Sequence, residues 1–150
     1  MVKIEMDVVI NRPVKEVFAF VSNVENDPKW SLGTLENKFT SKGPIGKGST
    51  FKEVTMFLGR KIESIGEYVE YVPNKKIVCR VASGPMPAEG KFYFEATNGG
   101  TKITMTMEIE IGKFFKLAEP LLVRMFKRQL EAEHTNLKDL LESQGQSIVY

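Results

Sequence analysis

The side chains best suited to chemistry in this sequence are carboxylates set among apolar neighbours. Glu119 and Glu133 fall within or beside the apolar arc of a long helical pattern, and Glu53 sits in a strand-like run. A carboxyl group held in an apolar cavity has a raised pKa, because burial disfavours its charged form, and it can then pass a proton near neutral pH. With Tyr68 or Tyr93 donating a hydrogen bond to a carbonyl, such a group would serve an aldol cyclisation or a dehydration. The simpler expectation, which we favour at this level, is that these acids face water or pair with Lys and Arg, leaving no catalytic residues.

Other chemistries find less support. His134 is the sole histidine, which excludes a multi-histidine metal site, and its place at the edge of the arc marks it as a helix-surface residue. A carboxylate metal site needs clustered acids in a loop, and NVENDP is too sparse. No metal and no cofactor are expected. Cys79 is the single cysteine, so an internal disulfide is excluded. Nothing in its run, KKIVCRVAS, marks a stabilised thiolate, and we expect it packed and unreactive. A Cys79 and His134 dyad would need strand and helix to converge in a way the sequence does not demand. The glycine-rich segment at residues 43–48, GPIGKG, lacks the GxxxxGK[ST] spacing and is not followed by a helix, so it reads as a strand connection.

The element that must position these groups is the helical pattern at residues 114–143. At about 100° per residue, Phe115, Leu122, Phe126, Leu130, Leu137, Leu140 and Leu141 share one face. Lys116, Arg124, Lys127, Arg128, Glu131, Lys138 and Asp139 lie largely opposite. That is the stripe of a helix laid on a sheet. Glu119, Gln129 and Glu133 interrupt the stripe, which fits either an edge reaching solvent or polar groups facing a cavity.

The remainder reads mostly as strands. Val2, Ile4, Met6, Val8 and Ile10 alternate with Lys3, Glu5 and Asp7, a half-buried strand. Asn11 offers a side-chain cap and Pro13 a fixed φ for a short helix at residues 13–22, and VENDPKW gives a second short turn or helix. From Gly33 onward, strands are joined by glycine-rich or Pro-Asn turns, ending in a run where Ile103, Met105, Met107, Ile109 and Ile111 alternate with Lys102, Thr104, Thr106, Glu108 and Glu110. Short turns force antiparallel neighbours, giving about seven strands with no room for crossover helices. On the expected inner face of IESIGEY, Ser64 and Gly66 are small, which implies close packing or an interior void.

With 150 residues, 42% hydrophobic and 27% charged, the chain suits one domain with a sizeable core. The 21 basic and 19 acidic residues are interspersed, so no footprint for nucleic acid is expected. The first residues alternate, unlike a signal peptide, and no run approaches a membrane span. A cytoplasmic protein, monomeric or weakly dimeric, is expected. We place a single domain at residues 1–143 and a loose tail at residues 144–150.

The sequence VINRPVKEVFAFVSNVENDPKW, with Arg12, Pro13, Val17, Phe18, Phe20, Pro28 and Trp30 in an RPxxxVFxF…PxW spacing, resembles the SRPBCC superfamily. That superfamily includes START domains, birch-pollen-allergen relatives and polyketide cyclase/dehydratase-like proteins. GPIGKGSTF, IESIGEYVEYVPNKKI and FFKLAEPLLVRMFKRQLEAEHTNLKDLLE are similar to it as well, so the resemblance runs to about Glu142. It implies an α+β helix-grip fold: a seven-stranded curved antiparallel sheet, two short helices and one long C-terminal helix enclosing a cavity. Such cavities hold lipids, sterols, polyketides and other hydrophobic molecules, and many members have no catalytic residues.

On this reading the cavity wall is drawn from Trp30, Phe51, Phe57, Ile62, Ser64 and Tyr68, then Cys79, Phe92, Phe94, Met105 and Met107 on later strands. Leu122, Phe126, Gln129 and Glu133 supply the helix side. The first functional expectation is binding or transport of a lipid, isoprenoid, quinone or polyketide-like compound. The second is a cyclase/dehydratase-type enzyme using Glu119, Glu133 and Tyr68. A third, resembling the chaperone-activator branch, is a protein-interaction module.

Overall fold

The computed structural model describes residues 2–83 and 86–147, with the side chains of residues 113–115 and 144–147 outside the description. Strand β1 (Val2–Ile10) leads into helix α1 (Val14–Val21) and a 3₁₀ turn (Val24–Lys29). Six strands follow: β2 (Thr34–Phe39), β3 (Thr50–Phe57), β4 (Arg60–Val72), β5 (Lys76–Val81), β6 (Ala88–Thr97) and β7 (Gly100–Ile109). A second 3₁₀ segment (Lys113–Ala118) delivers the chain to helix α2 (Glu119–Ser147). The strands form one antiparallel sheet in the order β1-β7-β6-β5-β4-β3-β2, the helix-grip arrangement.

The meander closes through tight turns. Between β3 and β4, Leu58 and Gly59 both take positive φ (49° and 79°), the twist a two-residue hairpin needs. β1 pairs along its full length with β7, Val2 opposite Ile109 and Ile10 opposite Thr101, which brings the apolar faces of both strands to the same side. The register slips between Tyr68 and Glu70 in β4. This bulge lets Tyr68 and Tyr71, of opposite parity, both pack inward, their rings stacked with centroids 6.1 Å apart.

Helix α2 begins later than the apolar pattern suggests. Pro120 occupies its first turn, where a residue without N–H costs no intrahelical bond, and residues 113–118 form the tighter 3₁₀ turn instead. The Phe115 side chain lies outside the described residues. At the other end the helix runs through residues expected to be a tail, to Ser147, while residues 148–150 lie outside the description. Asn11 does not cap α1: Pro13 holds the N-cap position with no side-chain bond. The backbone N–H of Asn11 instead donates to Glu142 Oε2 at 2.9 Å, and Lys138 Nζ donates to the Val9 carbonyl at 2.7 Å. Side chains of α2 thus occupy polar groups along and just beyond the free edge of β1, which would otherwise template pairing with another chain.

The apolar interior is in two parts. One cluster gathers Ile10, Val17, Phe18, Trp30, Tyr68, Phe94, Leu137 and others under α1 and the C-terminal half of α2. The second joins Val2, Ile4, Met105 and Leu130, with Phe126 and Met107 packed on it. No described helix is long and apolar enough to cross a membrane.

Candidate functional site

Between sheet and α2 lies a cavity of ≈ 310 Å³ whose wall draws on both apolar clusters. Aromatic and thioether groups, among them Trp30, Phe51, Phe57, Phe92, Met105, Met107 and Phe126, stand on it beside aliphatic side chains. One aromatic contact spans the gap, the Phe57 ring of β3 stacking on Phe126 of α2 at 5.8 Å and 12°. Such adaptable, polarisable surfaces suit a hydrophobic guest.

The two small residues of β4 have different reasons. Ser64 lines the cavity. Gly66 does not leave space for it, because the Phe51 ring of the neighbouring strand lies over its Cα; a Cβ there would meet Phe51 Cζ at 2.3 Å. Close packing therefore comes from a strand side chain and the void lies beside it.

At one part of the wall the lining turns polar. Asp27, from the 3₁₀ turn, accepts a hydrogen bond from Asn37 Nδ2 at 3.1 Å. Glu53, from β3, accepts one from Thr34 Oγ1 at 3.3 Å, and Ser31 Oγ in turn donates to Thr34 Oγ1 at 2.9 Å. Glu133 of α2 is 6% exposed, with the Ser31 hydroxyl, Gln129 and the Leu32 backbone beside its carboxyl. Burial pushes all three carboxyls above their ordinary range, and for Asp27 the charges of Glu53 and Glu133 push the same way. Among the described residues, no group of three or more His, Cys, Asp or Glu is arranged to hold a metal ion.

Of the residues the sequence assigns to a cavity wall, thirteen stand on it: Trp30, Phe51, Phe57, Ile62, Ser64, Tyr68, Cys79, Phe92, Met105, Met107, Phe126, Gln129 and Glu133. Phe94 does not, because α1 fills the space above it and Phe18 packs edge-on at 5.0 Å. Leu122 is buried outside the wall, one turn before Phe126. Glu119 is half-buried at the start of α2 and takes no part in the cavity. Tyr93 is 40% exposed, with Lys76 Nζ 5.5 Å from its ring centroid.

One of the two reactive side chains departs from expectation. His134 is buried, 6% exposed, instead of lying on the surface; burial lowers its pKa against the opposing charge of Asp7. It is not on the wall that holds Cys79. Burial, with Asp27 and Glu53 nearby, pushes the Cys79 thiol up to about 12, so no thiolate forms near neutral pH.

Sequence reasoning missed Asp27, Ser31 and Thr34. They follow one another within a stretch too short and irregular for periodicity to place. The usable signal was the Asn23 cap, whose side chain accepts from Glu25 N and fixes the 3₁₀ turn that presents Asp27.

A curved antiparallel sheet gripping a C-terminal helix over an apolar cavity defines the helix-grip class, and the solved structures similar to this chain share it. A protein of Thermus thermophilus matches with TM-score 0.80 at 16% identity, covering 92% of this chain and 95% of that one. The aromatase/cyclase Zhui of a Streptomyces species matches with TM-score 0.78 at 13% identity, covering 94% and 93%. A START superfamily protein of Mycobacterium smegmatis matches with TM-score 0.72 at 15% identity, covering 97% and 98%. No curated protein matches the chain. The family model described as polyketide cyclase / dehydrase and lipid transport matches residues 1–142, and the chain belongs to that family.

Proposed function

We propose that this protein binds or carries one hydrophobic small molecule, such as a lipid, isoprenoid, quinone or polyketide-like compound, in the cavity under α2. The observation carrying this is the ≈ 310 Å³ space set between the sheet and α2 and walled mainly by aromatic, aliphatic and Met side chains of both apolar clusters. Burying about 200 Å² of apolar ligand surface contributes on the order of 5 kcal/mol before ordering costs. Native mass spectrometry of the purified chain tests this: a retained or added apolar molecule at one per chain supports it, and failure to take up any apolar molecule contradicts it.

A second reading has its own observation. Glu53, Thr34 and Ser31 form a hydroxyl-linked chain that ends beside Glu133, joining two carboxyls of raised pKa across the cavity. Such a chain supports proton exchange of the kind a cyclase or dehydratase needs. With a poly-β-ketone as probe, E53Q and E133Q would keep binding and lose turnover, while E119Q, remote from the cavity, would change neither.

A further inference from the structure

The charge of the cavity wall is one-sided. Asp27, Glu53 and Glu133 reach it from three different elements, and among the described residues no Lys, Arg or His lines it. The chain as a whole is balanced, with 21 basic and 19 acidic residues, so the asymmetry belongs to the cavity. Among the described residues none of the three acids forms a salt bridge. Their hydrogen-bond partners are neutral: Asn37 on Asp27, Thr34 on Glu53, and Ser31 and Gln129 beside Glu133.

Buried carboxylates are ordinarily matched by a cation, since an unpaired buried charge is costly. Here the described wall supplies acceptors but no cation. Resting on the binding reading above, we propose that the cavity takes an apolar molecule whose polar end is a protonated amine set among Asp27, Glu53 and Glu133. An ammonium group offers three donors and a positive charge in one small head, which serves several carboxylates at once. A carboxylate or phosphate head finds no cation on the described wall and would hold the carboxyls protonated around a second buried charge. In the empty cavity, burial and mutual repulsion favour protonated carboxyls. Entry of the cation releases one of those protons to solvent, leaving one ammonium–carboxylate pair in place of a neutral acid while the other two carboxyls stay protonated and offer their carbonyl oxygens.

Decylamine, decanol and decanoate share one chain and differ only in head group. Each is titrated into the full chain, with Trp30 fluorescence and native mass spectrometry as readouts. Decylamine is expected to bind one per chain, roughly ten-fold more tightly than decanol, with decanoate weakest. E53Q and E133Q, each checked for folding by circular dichroism, are expected to shrink the amine-to-alcohol preference, while E119Q keeps it. Decanoate binding as well as decylamine, or an amine preference untouched in both E53Q and E133Q, overturns the amine head and leaves the cavity reading standing. Binding of none of the three overturns both.

Discussion

The Tyr68 hydroxyl donates a 2.6 Å hydrogen bond to the carbonyl oxygen of Ser22, 46 residues away in sequence. It crosses from β4 to the last turn of α1, where backbone carbonyls lack helical partners. The sequence suggested Tyr68 as a donor to a substrate carbonyl; its proton is already committed, and burial pushes its pKa up, away from any acid-base role. Y68F should therefore destabilise the fold by about 1–3 kcal/mol, the cost of stranding a buried carbonyl, and leave decanol affinity within about two-fold of wild type. Urea denaturation and a fluorescence titration check the two halves.

Gly66 and Phe51 make a second pair whose fit is steric. The Phe51 ring is 3% exposed and packs edge-on to Tyr68 at 5.8 Å, so it has little freedom to retreat from a new methyl group. G66A should cost about 1–3 kcal/mol through overpacking. The double variant G66A/F51L should recover part of that loss, a non-additive result visible in a double-mutant cycle.

The raised pKa values of Glu53 and Glu133 have a sign that pH can test. A carboxyl whose pKa is higher folded than unfolded adds stability below its unfolded value near 4, and that stability is lost as pH rises through the folded value. At pH 8 both groups should carry the penalty of burial. E53Q and E133Q should each raise the melting temperature at pH 8, by roughly 2–4 °C for each kcal/mol relieved, with the gain gone at pH 4. Thermal melts across that range decide it.

Phe57 and Phe126 join the β3 end to α2 across the cavity. Stacked pairs contribute about 0.5–1.5 kcal/mol beyond area burial. F57A should weaken this closure and speed ligand dissociation roughly ten-fold, read by stopped-flow Trp30 fluorescence, with the far-UV spectrum unchanged.

The architecture was legible wherever one face of an element is buried and the other wet. β1 alternates strictly, β7 does so from Thr101 to Met105, and α2 shows its stripe from Leu122 to Leu141. Legibility failed where a local rule outranked the period. Pro120 set the start of α2 against an apolar pattern that began earlier, and α1 filled the space over Phe94 that alternation alone would have given to the cavity. His134 was misplaced because an arc drawn for one packing surface cannot register that α2 also packs against β1. The acidic corner was half visible: Glu53 and Glu133 lie on regular elements, whereas Asp27 arrives on a 3₁₀ turn brought in by tertiary packing.

The central claim is a ligand space between the sheet and α2, and Trp30, the only tryptophan, stands on its wall. Titration of decanol into the wild-type chain and into A88F, followed by Trp30 fluorescence, tests it most directly, since Ala88 lines the cavity from β6 and a phenylalanine there would fill it. The expected result is a saturable one-to-one change in wild type that disappears in A88F while the melting temperature is held or raised. No saturable change in wild type, or equal binding by a folded A88F, would contradict the account.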